Sequence, residues 1–593
     1  MRVPLAARLG RFAGPAVILL AAVAAIAPQM VHGNSCGDDF DFHLVSWLDA
    51  AHSWREGILY PHWAPSANYG AGEPRFVFYP PLTWMLGAAL GLVMSWKAVP
   101  IALTFLLLAG AGLATRALAR YVMDEGPAAL AGCVAIFFGY ALFTAYERSA
   151  FGELTGGFWI PLLLLLTLRD RNAEGSLWRR AFDGSAALLA LVVAGVWLSD
   201  VPLGVMASYL LAAFALAVAL LHRSWAPVVR AAAGVAVGLG LSAFFLVPAA
   251  VEQSWVAVRE ATDEPGMRIE NNWLFGHHAD PVLQLHDVEL RRVSIIGTCM
   301  IALALASLLV AGLRGRITRQ RGAWIALALI PFAVLFLMLP VSLPVWNVLP
   351  KLRFLQFPWR WLVALEAPLG IFLASAVWSV NRKVRAAVLA CCAGVALLLP
   401  IATTPKLFFF QPCDEEDAVW AMLDTYSAGT GFEGEDEYAP PRADTALQAM
   451  NLPDACLSAS ATTTLGQGDE GTTPVWSPAQ GSCDATFSRS PSPGKPSAEH
   501  LRIDAVTSHA GYLILRLRSY PAWRVRVNGQ TPRSLPERAD GLMAVPVPQG
   551  PVKLTVDWTT TGDVAAGRWL SLVGLALLAG LAGLEHKFSS PHL

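Results

Sequence analysis

The chain has 593 residues, 55% of them hydrophobic and only 15% charged, with a formal net charge of −1. A soluble domain carries about 25% charged residues, so much of this surface faces something other than water. With no basic stripe and no known binding module, the composition argues against a nucleic-acid partner.

Residues 12–31, 203–221 and 386–402 are apolar runs near the length needed to cross a bilayer. Arg2, Arg8 and Arg11 precede the first run, and no small-x-small cleavage site follows it, so it reads as an uncleaved helix. Arginine clusters then set the topology: Arg169, Arg171, Arg179 and Arg180; Arg223 and Arg230; Arg314, Arg316, Arg319 and Arg321; and Arg382, Lys383 and Arg385. All are expected on the cytoplasmic side. The alternate segments, 32–76, 251–291, 341–359 and 403–566, then lie outside. This assignment predicts about 12–14 crossings. It also makes residues 77–95 start and finish on one side, as a re-entrant or surface segment. The alternative puts 116–125 outside despite its arginines.

Residues 425–497 are rich in Gly, Ser, Thr, Pro and acids and read as long loop. Segments 500–506, 512–518, 523–527, 542–547 and 552–558 alternate like strands, with Asn528-Gly529 as a turn signal between two of them. They predict a small β-sandwich or jelly-roll closed by a final helix at 568–584. Cys133, Cys299, Cys391 and Cys392 fall in apolar helices and read as core residues. Cys36, Cys413, Cys456 and Cys483 fall in extracytoplasmic segments, where a disulfide among the last three is expected, with open connectivity.

The most informative stretch is 36–83. It opens with Asp38, Asp39 and Asp41, followed by His43. Clustered carboxylates repel unless solvated or compensated. Asp-x-Asp at the mouth of a membrane helix suits a hard divalent cation beside a phosphate. It also suits a base that deprotonates an acceptor hydroxyl. An acidic helix N-terminus ahead of the amphipathic 41–57 segment accounts for the trio as well, and spacing alone does not choose. Glu147, Arg148 and Glu153 sit between two apolar helices, where charge is expensive unless paired or used. Arg353 and Arg360 bracket an aromatic stretch at an outer helix mouth and suit forked phosphate recognition or snorkelling to headgroups. The His277, His278, Asp280, His286, Asp287 and Glu289 cluster matches no zinc spacing and reads as a solvated loop. Asp200 reads as a helix-boundary residue.

Several motifs recur together: Gly37 to His43, Gly57 to Trp63, Tyr69 to Pro74 and Phe78 to Leu82, then Glu147 to Glu153, Gln356 to Arg360 and Tyr520 to Gly529. On these the chain resembles the GT-C superfamily of membrane glycosyltransferases. More closely it resembles the bacterial 6-pyruvoyl-tetrahydropterin synthase-related and YfhO-like membrane proteins. That label is a domain name, and nothing in the residues points to pterin chemistry. The resemblance implies a polytopic α-helical membrane protein, GT-C-like, with a C-terminal extracytoplasmic β-sandwich, in a bacterial inner membrane. The expected division is 1–402 transmembrane, 403–498 loop-rich, 499–566 β-sandwich, and 567–593 final helix and cytoplasmic tail. The implied activity is transfer of a hexosyl or pentosyl group from a polyprenyl-phosphate donor to a glycan, lipid or protein acceptor on the outer face. Carried over, Asp39 or Asp41, then Asp38, are the catalytic candidates. Asp39 and Asp41 are also candidates for holding Mg or Mn. His43, Glu73, Arg75, Glu147, Arg148, Glu153, Arg353 and Arg360 are the substrate-binding candidates. A lipid-linked-sugar flippase and a non-catalytic sugar-binding scaffold are the competing readings. Against the flippase stand the lack of an internal repeat and of matched broken helices.

Overall fold

A computed structural model describes residues 5–589 apart from 171–174, 318, 380, 408–409, 470, 478–482, 488 and 492–497. Arg2 and Arg171, counted above among the topology arginines, lie outside the described residues. The protein is a polytopic helical membrane protein with a small antiparallel β-domain near its C-terminus.

Among the described residues seven helical stretches are long and apolar enough to cross a membrane, and two bent pairs raise that number to nine. Two shorter apolar helices, Phe12–Ala25 and Ala186–Ser199, account for part of the difference from the expected number, and a third, Pro81–Val93, is too short for the same test. Each break has a local cause. The pair Arg321–Leu337 and Pro340–Val348 bends by 94° where Pro340 forces Leu339 into extended backbone. The pair Ala226–Leu241 and Ala243–Trp255 bends by 73° at Ser242. There Gly240 lies against Gly574 of the closing helix Gly562–Ser589, a contact that leaves no room for a Cβ on Gly574. The first apolar run is also interrupted. Helix Leu5–Ala25 stops at Ile26, and a second helix, Ala27–His32, restarts with Pro28 in its first turn.

Three contacts fix the relative direction of the first helices. A Cβ on Gly14 would lie 2.3 Å from Glu125 Oε1, so the early part of helix Leu5–Ala25 is level with residues 116–125. Its far end accepts a hydrogen bond from Tyr146 Oη at the Ala25 carbonyl. Asn34 Nδ2 donates to the Lys97 carbonyl at 3.1 Å. Residues 116–125 therefore share a side with the start of the chain, and Lys97 shares a side with Asn34. Helix Pro81–Val93 begins and ends on the side of the first loop, the first of the two arrangements that the arginines left open.

Not every arginine on the opposite side is only a topology signal. Arg230 is 1% exposed and donates to the carbonyls of Leu166 and Ala181 at 3.1 Å each, and it pairs with Asp183 at 3.2 Å. It caps the open carbonyls where span Phe151–Leu168 ends.

The β-domain holds eight strands: β1 Ala455–Ser458, β2 Asp484–Phe487, β3 Ser490–Pro491, β4 His500–Thr507, β5 Gly511–Arg518, β6 Trp523–Val527, β7 Leu542–Val547 and β8 Gly550–Trp558. They form two four-stranded antiparallel sheets, ordered β2-β1-β5-β7 and β3-β4-β8-β6. Leu513, Leu515, Val545, Leu554 and Val556 fill the space between them. The segment 403–498, read from sequence as loop, supplies three of these strands and helix Val419–Ala428. The Asn528-Gly529 turn has both residues at positive φ, but it closes on Gln530 rather than on a following sandwich strand, and β6 pairs with β8. Trp63 of the first loop inserts into the same core, 5.2 Å from the Trp523 ring and 5.7 Å from Trp558. The first loop is thus packed into the β-domain.

Two disulfides reinforce this arrangement. Cys456 pairs with Cys483 inside the β-domain, and Cys36 pairs with Cys413 across 377 residues, Cα to Cα 4.8 Å. The second cross-link was not foreseeable from spacing. The membrane-segment cysteines are not core residues: Cys299, Cys391 and Cys392 are exposed on helix surfaces and Cys133 is half-buried. Replacing Cys36 and Cys413 with Ser is expected to cost about 2–4 kcal/mol of stability. Thermal unfolding in detergent under oxidising conditions reads this, and an unchanged midpoint contradicts it.

Candidate active site

Backbone contacts bring the first loop to the Glu147–Glu153 segment. Asp39 N donates to the Arg148 carbonyl at 2.9 Å, and Gly37 N donates to Ser149 Oγ at 3.0 Å. A Cβ on Gly37 would meet the Glu147 carbonyl oxygen at 2.1 Å, so only glycine allows this approach. Ser149 itself stands at φ 50°, a conformation costly for a side chain and held here by its bond to the Ser35 carbonyl at 3.1 Å.

Beneath this junction lies a buried charge cluster. Arg148 Nη1 binds Glu153 Oε2 at 2.6 Å, with both side chains nearly enclosed. Arg360 Nε donates to the same oxygen at 3.1 Å, and Tyr140 Oη donates to Glu153 Oε1. Arg360 Nη1 is held by the Leu355 carbonyl and Gln356 Oε1, each at 3.0 Å. The Phe357 ring lies between the two guanidiniums, 5.4 Å from Arg148 and 4.9 Å from Arg360, and stacks on Trp359 at 4.5 Å. Burial opposes the charge on Arg148, but Glu153 and Asp39 outweigh it and keep Arg148 a cation. Two forks thus share one carboxylate, leaving an excess of positive charge facing the first loop. A small recess of about 10 Å³, room for about one water, is lined by Glu153, Asp200, Leu203, Met206, Leu355 and Arg360.

Of the three expected catalytic carboxylates, Asp39 meets this cluster. Its Oδ2 stands 3.8 Å from Arg148 Nη2, and its side chain is 41% exposed although protein surrounds it, as in a recessed mouth. Burial raises its pKa to about 6 against the pull of Arg148. Asp38 is exposed at the rim, and burial raises it more than Arg148 lowers it. Asp41 is exposed, accepts the Phe42 N–H at 2.7 Å, and acts on Asp417 and Glu435 instead of the cluster. Asp39 and Asp41 therefore diverge. Among the described residues no three His, Cys, Asp or Glu side chains are placed to hold a metal ion.

The substrate-binding candidates divide in the same way. Arg148, Glu153 and Arg360 converge, and Glu147 stands beside them in an ion pair with Arg292 at 2.5 Å. His43 does not join them. It is enclosed by Phe42, Trp47, Tyr79 and Phe151, and burial lowers its pKa to about 3. Glu73 and Arg75 form a buried pair at 2.7 Å. Arg75 also holds the Phe42 carbonyl and Ser46, while Glu73 accepts from Asn68 and from the Glu435 N–H. This pair locks the first loop to segment 429–438. Arg353 binds Glu270 through one nitrogen at 2.6 and 2.7 Å on the outer rim, away from the cluster. The histidine loop is more ordered than expected: His277 and His278 both bind Asp287, at 2.9 and 2.6 Å.

Sequence reasoning missed Tyr140 and Arg292, neither of which carries a local signal, and did not single out Gln356 within the Gln356–Arg360 motif. Asp200 caps helix Val201–His222 through Leu203 N at 2.6 Å, as a boundary residue should. A Cβ on Gly152 would also find its Oδ2 at 3.1 Å and Tyr79 Oη at 3.2 Å, which puts Asp200 at the edge of the cluster.

Segment 429–438 adds two half-buried carboxyls, Glu435 and Glu437, both raised chiefly by burial, Glu437 to about 7. The unfolded chain ionises Glu437 near its ordinary value of 4.5 while the folded chain does not. Stability is therefore expected to fall as pH rises from 4.5 to about 7. Glu437→Gln should flatten that fall in thermal unfolding at pH 5 and pH 8, and an equal fall in both proteins contradicts it.

A family model described as a 6-pyruvoyl-tetrahydropterin synthase related domain of a membrane protein matches residues 76–407. No curated protein matches the chain in sequence. Among solved structures, the oligosaccharyltransferase of Archaeoglobus fulgidus aligns with a TM-score of 0.41 at 12% identity, over 72% of this chain and 61% of that one. The same archaeal enzyme with an inhibitory peptide and a dolichol-phosphate gives 0.40 at 12%, over 73% and 61%. The mycobacterial arabinofuranosyltransferase AftD gives 0.40 at 17%, over 78% and 31%. The chain thus spans less than two thirds of the length of these enzymes.

Proposed function

The chain belongs to the 6-pyruvoyl-tetrahydropterin synthase-related family of membrane proteins, and from that premise we propose that it is a membrane glycosyltransferase. It transfers a sugar from a polyprenyl-phosphate donor to an acceptor hydroxyl on the outer face of the membrane. The observation that carries this reading is the convergence of Asp39 on the Arg148–Glu153–Arg360 cluster beside the apolar spans.

In this scheme the donor lies with its chain in the lipid and its phosphate at the two guanidiniums. Asp39 takes the proton of the acceptor hydroxyl as the acceptor oxygen bonds to the anomeric carbon. The bond from that carbon to the phosphate oxygen breaks, and the electron pair leaves with the phosphate. Arg148 and Arg360 stabilise the charge that develops there, from positions fixed in advance by Glu153, Gln356 and Phe357. No step of this scheme is assigned to a metal ion.

The test is transfer by the full chain in proteoliposomes, with polyprenyl-phosphate-linked radiolabelled sugars and an envelope extract as acceptor. Label should leave the lipid fraction and appear in the acceptor fraction. Movement of intact labelled lipid across the bilayer without transfer would instead establish a flippase. Sugar binding without either would establish a scaffold.

A further inference from the structure

Glu366 lies in helix Leu362–Val377, within a span that is 83% buried inside the protein. It is 6% exposed and, among the described residues, makes no hydrogen bond or ion pair. Its carboxyl occupies a gap between two other spans. A Cβ on Gly157 would come 3.4 Å from Glu366 Oε2 and 2.9 Å from Ala111 Cβ. Gly157 is four residues beyond Glu153 in span Phe151–Leu168. Glu366 thus sits about one helical turn deeper than the carboxylate shared by Arg148 and Arg360. Glu153, one turn above it, repels a second negative charge there. An unpaired carboxylate at such a place is costly and takes up a proton when it can. Nothing in the transfer scheme uses this group, and among the described residues no side chain pairs with it.

We propose that Glu366 is a membrane-buried proton-binding site, whose neutrality spares the Arg148–Arg360 pair a further negative charge. The proton site stands on the burial and isolation of the carboxyl. Its effect on the guanidiniums rests on the reading of a donor phosphate bound there. Arg148 and Arg360 already face Glu153 and Asp39. An ionised Glu366 one turn below would add a further negative charge and weaken their attraction for an anionic ligand.

The proton site is tested on the full chain in lipid nanodiscs with dicyclohexylcarbodiimide, an apolar reagent for protonated carboxyls. The carboxyl oxygen bonds to the carbodiimide carbon while the proton moves to a carbodiimide nitrogen. Mass spectrometry should find the adduct on Glu366 and not on the ion-paired Glu153. The infrared band of a protonated carboxyl should be present in the native protein and lost in Glu366→Gln. No band difference between the two proteins means an ionised Glu366 and overturns the proposal, whether or not the reagent reaches the site. The charge effect is read by titrating both proteins with undecaprenyl phosphate, and Glu366→Gln should bind it with unchanged affinity. A loss of affinity in that variant overturns the charge effect alone. If the native protein binds no polyprenyl phosphate, the donor-site reading and the charge effect fall together, while the infrared result still decides the proton site.

Discussion

Asp39→Asn is expected to lower sugar transfer by about 10²–10⁴-fold, the usual contribution of a positioned general base. Asparagine keeps the shape of the side chain and the backbone bond from Asp39 N to the Arg148 carbonyl. It removes only the proton acceptor 3.8 Å from Arg148. Folding should not suffer. A carboxyl raised from 3.8 to about 6 costs the folded state free energy as pH climbs through that window, and asparagine abolishes the cost. At pH 8 the variant should be at least as stable as the native protein. The same value sets the pH profile. The base acts only when ionised, so transfer should rise as pH passes about 6 and then level off. Asp41→Asn, whose carboxylate acts on Asp417 and Glu435, should transfer at nearly the native rate. Equal losses in the two variants would remove Asp39 from its special role.

Arg148→Leu should abolish transfer and also destabilise the protein. Breaking a buried pair strands the remaining charge, at about 3–5 kcal/mol. Tyr140 and Arg360 still hold Glu153, so the loss belongs at the lower end of that range. Arg148→Leu combined with Glu153→Leu should be no more stable than Arg148→Leu alone, since Arg360 then loses its carboxylate and becomes the stranded charge. Loss of transfer at a temperature where Arg148→Leu remains folded separates a role in phosphate binding from a role in folding. Arg148→Lys should not rescue transfer, because one ammonium cannot replace the fork that serves Glu153 and faces Asp39 together. Thermal unfolding and transfer on the three variants read both effects.

What the sequence made legible was local. The apolar runs and the five alternating strands from His500 to Trp558 follow from periodicity within a few residues. Charge placement left two paths open for helix Pro81–Val93, and the contacts of Gly14 and Asn34 chose between them. Strands Ala455–Ser458, Asp484–Phe487 and Ser490–Pro491 did not show themselves. They have four, four and two residues, and β1 is buried along its whole length, so no alternation marks it. The catalytic candidates were legible as a trio but not as individuals. One residue of helix start separates Asp39, whose backbone docks on Arg148, from Asp41, which turns to the other side. The fates of Glu73, Arg75 and Arg353 were illegible because their partners lie far along the chain or across a loop. Glu73 meets the Glu435 N–H, 362 residues away, and Arg353 meets Glu270, 83 residues away. Charge in an apolar context flags a residue as paired or used, and only tertiary contacts say which.

The account depends on a donor phosphate seated at Arg148 and Arg360 with its sugar toward Asp39. The most direct measurement is a structure of the full chain in nanodiscs with a non-hydrolysable polyprenyl-phosphate sugar analogue. Phosphate density should lie within hydrogen-bond reach of both guanidiniums, with the anomeric carbon on the Asp39 side. Phosphate held at Arg353 or at the arginines around Arg230 and Arg314, with the Arg148 cluster unchanged and closed, would contradict it.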